Sequence, residues 1–333
     1  MTRLIQIKKG NMRGVALVEE PNVRLLDGCS SIYELAHLAI GAGMKLSDLA
    51  RQRARGDVLE YDPIYRGESE WQLLPAIDHP EEPARCLVSG TGLTHLGSAN
   101  NRQSMHAKAN EDLTDSIKMF RWGVEGGRPA AGSVGIPPEW FYKGTGYALR
   151  AHGQSLDVPC FAEDGGEEAE IAGIYLIAAN GQPYRLGMAA GNEFSDHQFE
   201  KKNYLNLAGS KLRTCSVGPE LVVDTEFRSV PVTVTIERKA IVHWTKTFCS
   251  GEAEMCHSLQ NIEHHHFKYA DHRRRGDVHV HFLGAGCLSF SDQIRLQEGD
   301  VMQVAVEGYG RALRNNLRVD KSKSSLISVV SLG

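Results

Sequence analysis

The sequence lacks the features that mark several classes of protein. None of its apolar runs reaches the roughly 18 residues of a membrane-spanning helix, and its first ten residues, MTRLIQIKKG, lack the apolar core of a signal peptide. Basic residues are not in excess either, since 37 Lys and Arg stand against 41 Asp and Glu. We therefore expect a cytoplasmic protein that has neither a nucleic acid nor a membrane as its partner.

Paired cysteines are also missing. An odd number of widely spaced cysteines, without a C-x-x-C pair, favours reduced side chains in the interior over a disulfide framework or a zinc site. The seven cysteines are Cys29, Cys86, Cys160, Cys215, Cys249, Cys256 and Cys287.

The patterns that are present predict two parts of unequal size. Residues 1–80 combine the strand-like stretches LIQIKK and VALVEE with helical spacing in SSIYELAHLAIGAGMKLSDLARQRA, which indicates a small αβ domain. The stretch from Tyr61 to Pro83 is rich in Pro, Asp and Glu, and predicts a linker or a draped loop. Residues 81–333 carry many short strands, with helices predicted in SMHAKANEDLTDSIKMFRWGVE and CHSLQNIEHHHFKYA. The expected fold class is α+β, with a β-rich main domain.

Three glutamates belong to one predicted hairpin. Glu168 and Glu170 are two positions apart in a strand-like run, so strand alternation puts both side chains on one face. The turn NGQP allows the returning strand to bring Glu193 back beside them. Neighbouring carboxylates repel each other unless solvent or a cation lies between them, and three oxygen donors suit Mg²⁺ or Mn²⁺. The alternative is a solvated strand edge with an exposed turn residue.

The order of motifs around these glutamates resembles the fumarylacetoacetate hydrolase superfamily. EAEIAGIYLI is followed by GMAAGNEFSD and then by Lys211 and GPE, where the family carries E-x-E, an N-D-x-S stretch and a lysine before G-P. CLVSGTGLTHLG, WFYKGTG and RRGDVHVHFLGAG resemble further landmarks, in the same order over residues 84–316. SGTGLTHLGSA and GNEFSDH are similar to the branch that acts on 2-keto-3-deoxy sugar acids. The resemblance implies a homodimer with a mixed β-roll catalytic domain of this type behind a small N-terminal domain.

The resemblance also implies roles for individual residues. Glu168, Glu170 and Glu193 become the metal ligands, with Glu193 where the family usually has Asp. Lys143 and Lys211 fall at two lysine positions of the family, where either would hold the substrate carboxylate or act as a base.

The early histidine of the family corresponds to His95. In hydrolytic members this histidine pairs with a glutamate three positions later to activate water, but here that position is Ser98. His106 or Glu111 could serve instead, and the Gly-, Ser- and Asn-rich stretch from His95 to Glu111 predicts a lid. Ala285 stands where the family has a threonine, which removes one hydroxyl contact.

Together these features predict a metal-dependent dehydratase of non-phosphorylative sugar catabolism, which converts a 2-keto-3-deoxypentonate, for example, to 2-oxoglutarate semialdehyde. A cation would polarise the chelated 2-oxo acid, Lys211 or Lys143 would remove a C3 proton, and His95 or His106 would protonate the leaving C4 hydroxyl. One alternative is hydrolysis of a 2,4-dioxo acid to pyruvate and a short hydroxy acid. A non-catalytic binding protein is the other.

Histidines are concentrated in HSLQNIEHHHFKYADHRRRGDVHVH. Three consecutive histidines cannot all face one ion on a helix, where side chains three or four positions apart are neighbours. His279 and His281 share a strand face, but in a strand that reads as buried. We therefore favour packing, an interface or a substrate contact over a metal site in this segment, and we interpret Arg273, Arg274 and Arg275 as a solvated turn.

Overall fold

The computed structural model describes residues 1–97, 99 and 115–333. Its N-terminal strands are β1 (Thr2–Lys9), β2 (Met12–Glu19), β3 (Asn22–Leu25), β4 (Val58–Glu60) and β5 (Gln72–Leu73), and its first helices are α1 (Ile32–Ala42), α2 (Leu46–Arg53) and α3 (Tyr61–Arg66). The single helical stretch expected over residues 30–54 is two helices. Gly43 ends α1 in the left-handed conformation, with φ of 62°, which glycine adopts without strain.

The segment expected to be a draped loop contains α3 and β5. Tyr61 and Ile64 of α3 are buried, so the segment packs into the protein. Pro63 is compatible with this helix because it lies in the first turn, where its missing N–H group has no helical partner in any case. The prediction of a loop was wrong for these residues, because it relied on the many Pro, Asp and Glu residues of the segment and overlooked the two side chains that are buried.

One mixed sheet of 13 described strands runs through both parts of the chain. Its further strands are β6 (Cys86–Gly92), β7 (Glu139–Thr145), β8 (Leu149–Arg150), β10 (Ala169–Ile177), β11 (Pro183–Asn192), β12 (Cys215–Val217), β13 (Leu221–Val223) and β16 (Val278–Phe282). The main path is β4-β3-β2-β1-β13-β11-β10-β16-β6-β7. The N-terminal strands join the rest through antiparallel pairing of β1 with β13, where Leu4 lies opposite Leu221.

A second, smaller sheet covers part of the first. Its strands are β9 (Leu156–Val158), β14 (Val230–Arg238), β15 (Ile241–Ser250), β17 (Val301–Val306) and β18 (Leu313–Val319), in the order β15-β14-β17-β18-β9. The remaining described helices are α4 (Asp115–Gly126), α5 (His197–Lys202), α6 (Leu207–Lys211) and α7 (Leu259–Phe267). The described residues form mostly strands and few helices, and this architecture confirms the α+β fold class. Within the described residues, no helix has both the length and the apolar character needed to cross a membrane.

Strand β10 lies at the centre of the molecule, and all nine of its residues are buried. Ile174 faces the core layer that α1 covers, and Ile171 faces the layer shared with the second sheet. Burial on both faces explains why this strand reads as a nearly continuous apolar run. In its hairpin with β11, Ala169 pairs with Asn192, and the amide of Glu193 donates to the carbonyl of Glu168 at 2.9 Å. This register places two of the glutamates side by side.

A buried carboxylate joins the N-terminal part to the rest of the protein. Glu220 is fully buried and accepts hydrogen bonds from the Tyr61 hydroxyl at 3.1 Å and from the Arg311 amide at 3.0 Å. The guanidinium of Arg3 lies 3.2 Å from its other oxygen. Burial raises the pKa of Glu220, so each donor matters for keeping the carboxyl group inside.

We predict that Tyr61→Phe lowers the free energy of unfolding by about 1–3 kcal/mol, because Glu220 loses a donor that buried water cannot easily replace. Urea unfolding measures the change. Tyr147→Phe is the matched control, since Tyr147 is 67% exposed, and it should change stability by less than about 0.5 kcal/mol. Equal stability of the two variants would contradict the role of this contact.

Candidate metal centre

The three predicted glutamates lie together at one end of the β10–β11 hairpin. Glu168, Glu170 and Glu193 each offer an oxygen within 4.8 Å of the other two. Glu193 and Glu170 are 0% and 2% exposed, and Glu168 retains 9%. A solvated strand edge would expose these side chains, so the alternative explanation of the pattern is excluded.

Two buried lysines hold the carboxylates. Lys211, the last residue of α6, donates from Nζ to Glu168 Oε1 and to Glu193 Oε2, at 2.5 Å in both cases. Nζ of Lys143, in β7, lies 2.7 Å from Glu193 Oε1 and also donates to the carbonyl of Phe194. The two ammonium groups therefore occupy opposite sides of Glu193.

Further donors complete the surroundings of the carboxylates. The amide of Gly284, just after β16, donates to Glu170 Oε2 at 2.7 Å. The Ser195 hydroxyl donates to Glu193 Oε2 at 2.9 Å, and His197 Nε2 donates to Glu168 Oε1 at 3.1 Å. Glu170 is thus oriented from the end of β16, and the other two glutamates from the segment that follows β11.

The charges shift the pKa values of the glutamates in different directions. Burial raises the pKa of Glu170 well above its ordinary value, and the charges of Glu168 and Glu193 add to this effect. Burial also acts on Glu168, but the ammonium of Lys211 and the bond from His197 outweigh it and hold the pKa of Glu168 well below its ordinary value. Glu170 is therefore the member of the triad with the least positive charge beside it.

The donor set fits a hard divalent cation. All three side chains supply carboxylate oxygens, which Mg²⁺ and Mn²⁺ prefer. Glu193 Oε1 is buried and accepts no well-directed hydrogen bond, although the charge of Lys143 lies nearby. Glu170 has no lysine partner among the described residues. An ionised Glu170 would therefore lack a compensating positive charge, which a bound cation would supply.

His95, the histidine expected to protonate a leaving group, is buried. His95 is 2% exposed, and its Nε2 lies 3.2 Å from the Ser250 hydroxyl. Burial lowers its pKa to about 4, so the imidazole is neutral near pH 7. His106 and Glu111 lie outside the described residues, as does Ser98, and so does most of the predicted lid. The roles of His95 and His106 stay predictions.

Sequence reasoning missed Glu139. It lies on β7 two positions before Phe141 and four before Lys143, so the three side chains share one face of the strand. Glu139 is buried, and the Phe141 ring lies 4.8 Å from the ammonium of Lys211. The alternation E-x-F-x-K was a usable signal, because an acidic residue on the buried face of a strand is uncommon.

The histidine-rich segment does not form a metal site among the described residues. Both nitrogens of His281 are used, by the Ser89 hydroxyl at 2.9 Å and the Thr91 hydroxyl at 2.7 Å. His266 and His279 bond to each other at 2.9 Å. Within the described part of the chain, only the glutamate triad brings three metal-ligating side chains close enough to share an ion.

Comparison with known proteins adds to this geometry. No family model matches the chain, and no curated protein matches it in sequence. Its structure is similar to that of 2-keto-3-deoxy-D-arabinonate dehydratase complexed with magnesium and 2,5-dioxopentanoate, with a TM-score of 0.71, 17% identity, and coverage of 96% of this chain and 100% of that one. The chain has the fold of the fumarylacetoacetate hydrolase superfamily.

Two further solved structures have the same fold. The 2-hydroxyhepta-2,4-diene-1,7-dioate isomerase from Mycobacterium marinum matches with a TM-score of 0.58 and 15% identity, over 97% of this chain and 100% of that one. The 5-carboxymethyl-2-hydroxymuconate delta-isomerase from Mycobacterium smegmatis matches with a TM-score of 0.56 and 14% identity, over 96% and 100%. These likenesses confirm, at the level of the fold, the resemblance inferred from the motifs.

We predict that Glu170→Gln weakens Mn²⁺ binding at least about tenfold, because the amide removes one of three anionic ligands. The metal-free variant should be no less stable than the parent protein, since the neutral side chain relieves repulsion from the other two carboxylates. Isothermal titration and urea unfolding measure the two effects, with Glu226→Gln, at an exposed position, as the control. Unchanged Mn²⁺ affinity would argue against the centre.

A second prediction concerns the lysine that bridges the carboxylates. Lys211→Met should lower the free energy of unfolding of the metal-free protein by about 3–5 kcal/mol, because buried Glu168 loses its lysine partner and buried Glu193 loses one of its two. Added Mg²⁺ should restore part of the loss. Lys202→Met breaks an exposed pair with Glu163 and should cost no more than about 1 kcal/mol. Equal losses in the two variants would refute the assignment.

Proposed function

We propose that the protein is a Mg²⁺- or Mn²⁺-dependent dehydratase of a 2-keto-3-deoxy sugar acid. The observation that carries the proposal is the buried triad of Glu168, Glu170 and Glu193, held by two lysines in a fold shared with an enzyme of this type. A cation held by the three glutamates would supply Lewis-acid polarisation of the keto group. The remaining requirements are a base at C3 and an acid at C4.

The charges of the centre suit an anionic substrate. A bound cation would favour the ionised forms of the three glutamates, and the ammonium groups of Lys211 and Lys143 lie beside them. Burial acts against the charged form of His197, but Glu168 outweighs it and raises the pKa of His197, which adds to the positive side. The loaded site would therefore carry an excess of positive charge, which the carboxylate of a 2-oxo acid would offset.

Lys211 is the better candidate for the base. Burial by itself lowers the pKa of Lys211, but Glu168 and Glu193 outweigh it and raise the pKa. Neutralisation of these carboxylates would remove the effect that keeps Lys211 protonated, and burial would then favour its neutral, basic form. Burial lowers the pKa of Lys143, which favours its neutral form, but its ammonium group is enclosed between Glu193 and the Phe194 carbonyl. We therefore assign Lys143 the role of positioning Glu193.

The proton for the C4 hydroxyl has several candidate donors. Glu139 lies on the same strand face as Phe141, whose ring contacts Lys211, and its carboxyl group could donate when protonated. His95 and His106 are the donors proposed from the sequence. The place of the reaction in non-phosphorylative sugar catabolism, the homodimer and the cytoplasmic location remain predictions from the sequence.

We predict that the protein, incubated with Mg²⁺ and a set of 2-keto-3-deoxypentonates, converts at least one of them to 2-oxoglutarate semialdehyde. In D₂O the product should carry deuterium at C3 and C4. Loss of a C3 proton and of the C4 hydroxyl group as water leaves a C3=C4 double bond, and the tautomerisation that converts the C5 carbinol to the aldehyde adds solvent hydrogen at both carbons. Mass spectrometry identifies the product and its label.

The controls separate this reaction from hydrolysis. Glu170→Gln and excess chelator should both abolish turnover, whereas Glu226→Gln should not. Rapid release of pyruvate from the 4-oxo counterparts, with no dehydration of any deoxy acid, would show that the protein is a hydrolase and not a dehydratase. No turnover of either substrate class would favour a binding protein.

A further inference from the structure

A cavity of about 380 Å³ lies between the beginning of β7 and α7 with the turn that follows it. Its walls include Pro137, Pro138, Trp140, His266, Tyr269 and His272. It is on the other face of the sheet from the glutamate triad. Trp140 and Phe141 are consecutive in β7 and point to opposite faces: Phe141 contacts the ammonium of Lys211, and Trp140 contacts His266.

A chain of hydrogen bonds fixes the rings behind this wall. The indole N–H of Trp140 donates to His266 Nδ1 at 3.3 Å, so His266 carries its hydrogen on Nε2. That Nε2 lies 2.9 Å from His279 Nδ1 and therefore donates to it. His272 Nδ1 lies 2.6 Å from the backbone carbonyl of His266. These bonds orient Trp140, His266 and His272 before any ligand is present.

The same bonds decide what the cavity offers to a ligand. His266 is buried and both of its nitrogens are occupied, so it supports the cavity from behind. The accessible rings are Trp140, which is 41% exposed, Tyr269, which is 55% exposed, and the half-buried His272. The centroid of the His272 ring lies 5.7 Å from that of Trp140 and 5.5 Å from that of Tyr269. These three neighbouring rings form the aromatic wall of the cavity, which suits a planar partner.

The charged residues at the rim of the cavity favour a ligand with a single negative charge. Lys268 is exposed at the cavity, and its Nζ lies 3.0 Å from His265 Nδ1 and 5.1 Å from the Tyr269 ring. In the part of the chain that the structure describes, it has no carboxylate partner. Asp271, on the same rim, repels additional negative charge. One anionic group beside a flat ring therefore fits this cavity better than a dianion.

We propose that this cavity binds a small planar aromatic monocarboxylate, with its ring against the wall of Trp140, His272 and Tyr269 and its carboxylate at Lys268. The cavity volume suits a ligand of one or two rings, since small-molecule sites begin at about 300 Å³. This site is independent of the metal centre and of the activity proposed there, because the sheet separates the two.

The test uses benzoate as the probe and isothermal titration as the measurement, on the full chain in excess chelator. Benzoate should bind with a dissociation constant of about 1 mM or below. Cyclohexanecarboxylate, equal in charge but not planar, and benzamide, planar but uncharged, should each bind about tenfold more weakly. Equal binding of cyclohexanecarboxylate would overturn the stacking wall, and absence of benzoate binding at 10 mM, or about ten times that dissociation constant, would overturn the site.

Variants locate the bound probe. Trp140→Ala and Lys268→Gln should each weaken benzoate binding about tenfold, while the matched Trp122→Ala and Lys246→Gln, at residues outside the cavity wall, should not. Lys268 is exposed, so its variant tests the site even if Trp140→Ala fails to fold. Glu170→Gln should bind benzoate as the parent protein does. Loss of binding in that variant would place the probe at the metal centre and refute the second site.

Discussion

The compensation of buried negative charge by buried lysines is the interaction on which the rest of this structure depends. An ion moved from water into a protein interior loses several kcal/mol of solvation, and three carboxylates in one place multiply that cost. Lys211 between Glu168 and Glu193, and Lys143 behind Glu193, supply the opposing charge. Glu170 is left with the Gly284 amide and the repulsion of its neighbours, which makes the cluster receptive to a cation.

This compensation requires distant parts of the chain to meet at one hairpin. Lys143 comes from β7, Lys211 from α6, Gly284 from the end of β16 and His197 from the start of α5. The sheet makes the meeting possible, because β16 pairs with β10 on one side and with β6 on the other, and β6 in turn pairs with β7. The pairing order of the strands is therefore what allows the charges to be balanced.

The sheet also separates two environments with different chemistry. On one face, acidic and ammonium groups meet at short distances and suit a cation with an oxygen-rich substrate. On the other face, the buried imidazoles of His266 and His279 and the indole of Trp140 are joined by hydrogen bonds. His266 and His279 remain uncharged because burial lowers their pKa values, the pKa of His279 to about 3. Alternation of side chains along β7 is enough to divide Trp140 from Phe141.

The sequence by itself determined the local features: the hairpin, the common face of Glu168 and Glu170, and the motif order that identified the fold. These depend on the two-residue period of a strand and on short turns, which a linear pattern records. Only the tertiary structure decided that Glu139 is buried on the face of Lys143 and that the Gly284 amide donates to Glu170. It also decided that Tyr61 packs into the protein from a segment expected to be a loop, and that the histidines bond to one another. Each of these depends on which distant elements meet and in what register, and a one-residue shift in the pairing of β7, for example, would turn Glu139 and Lys143 to the other face.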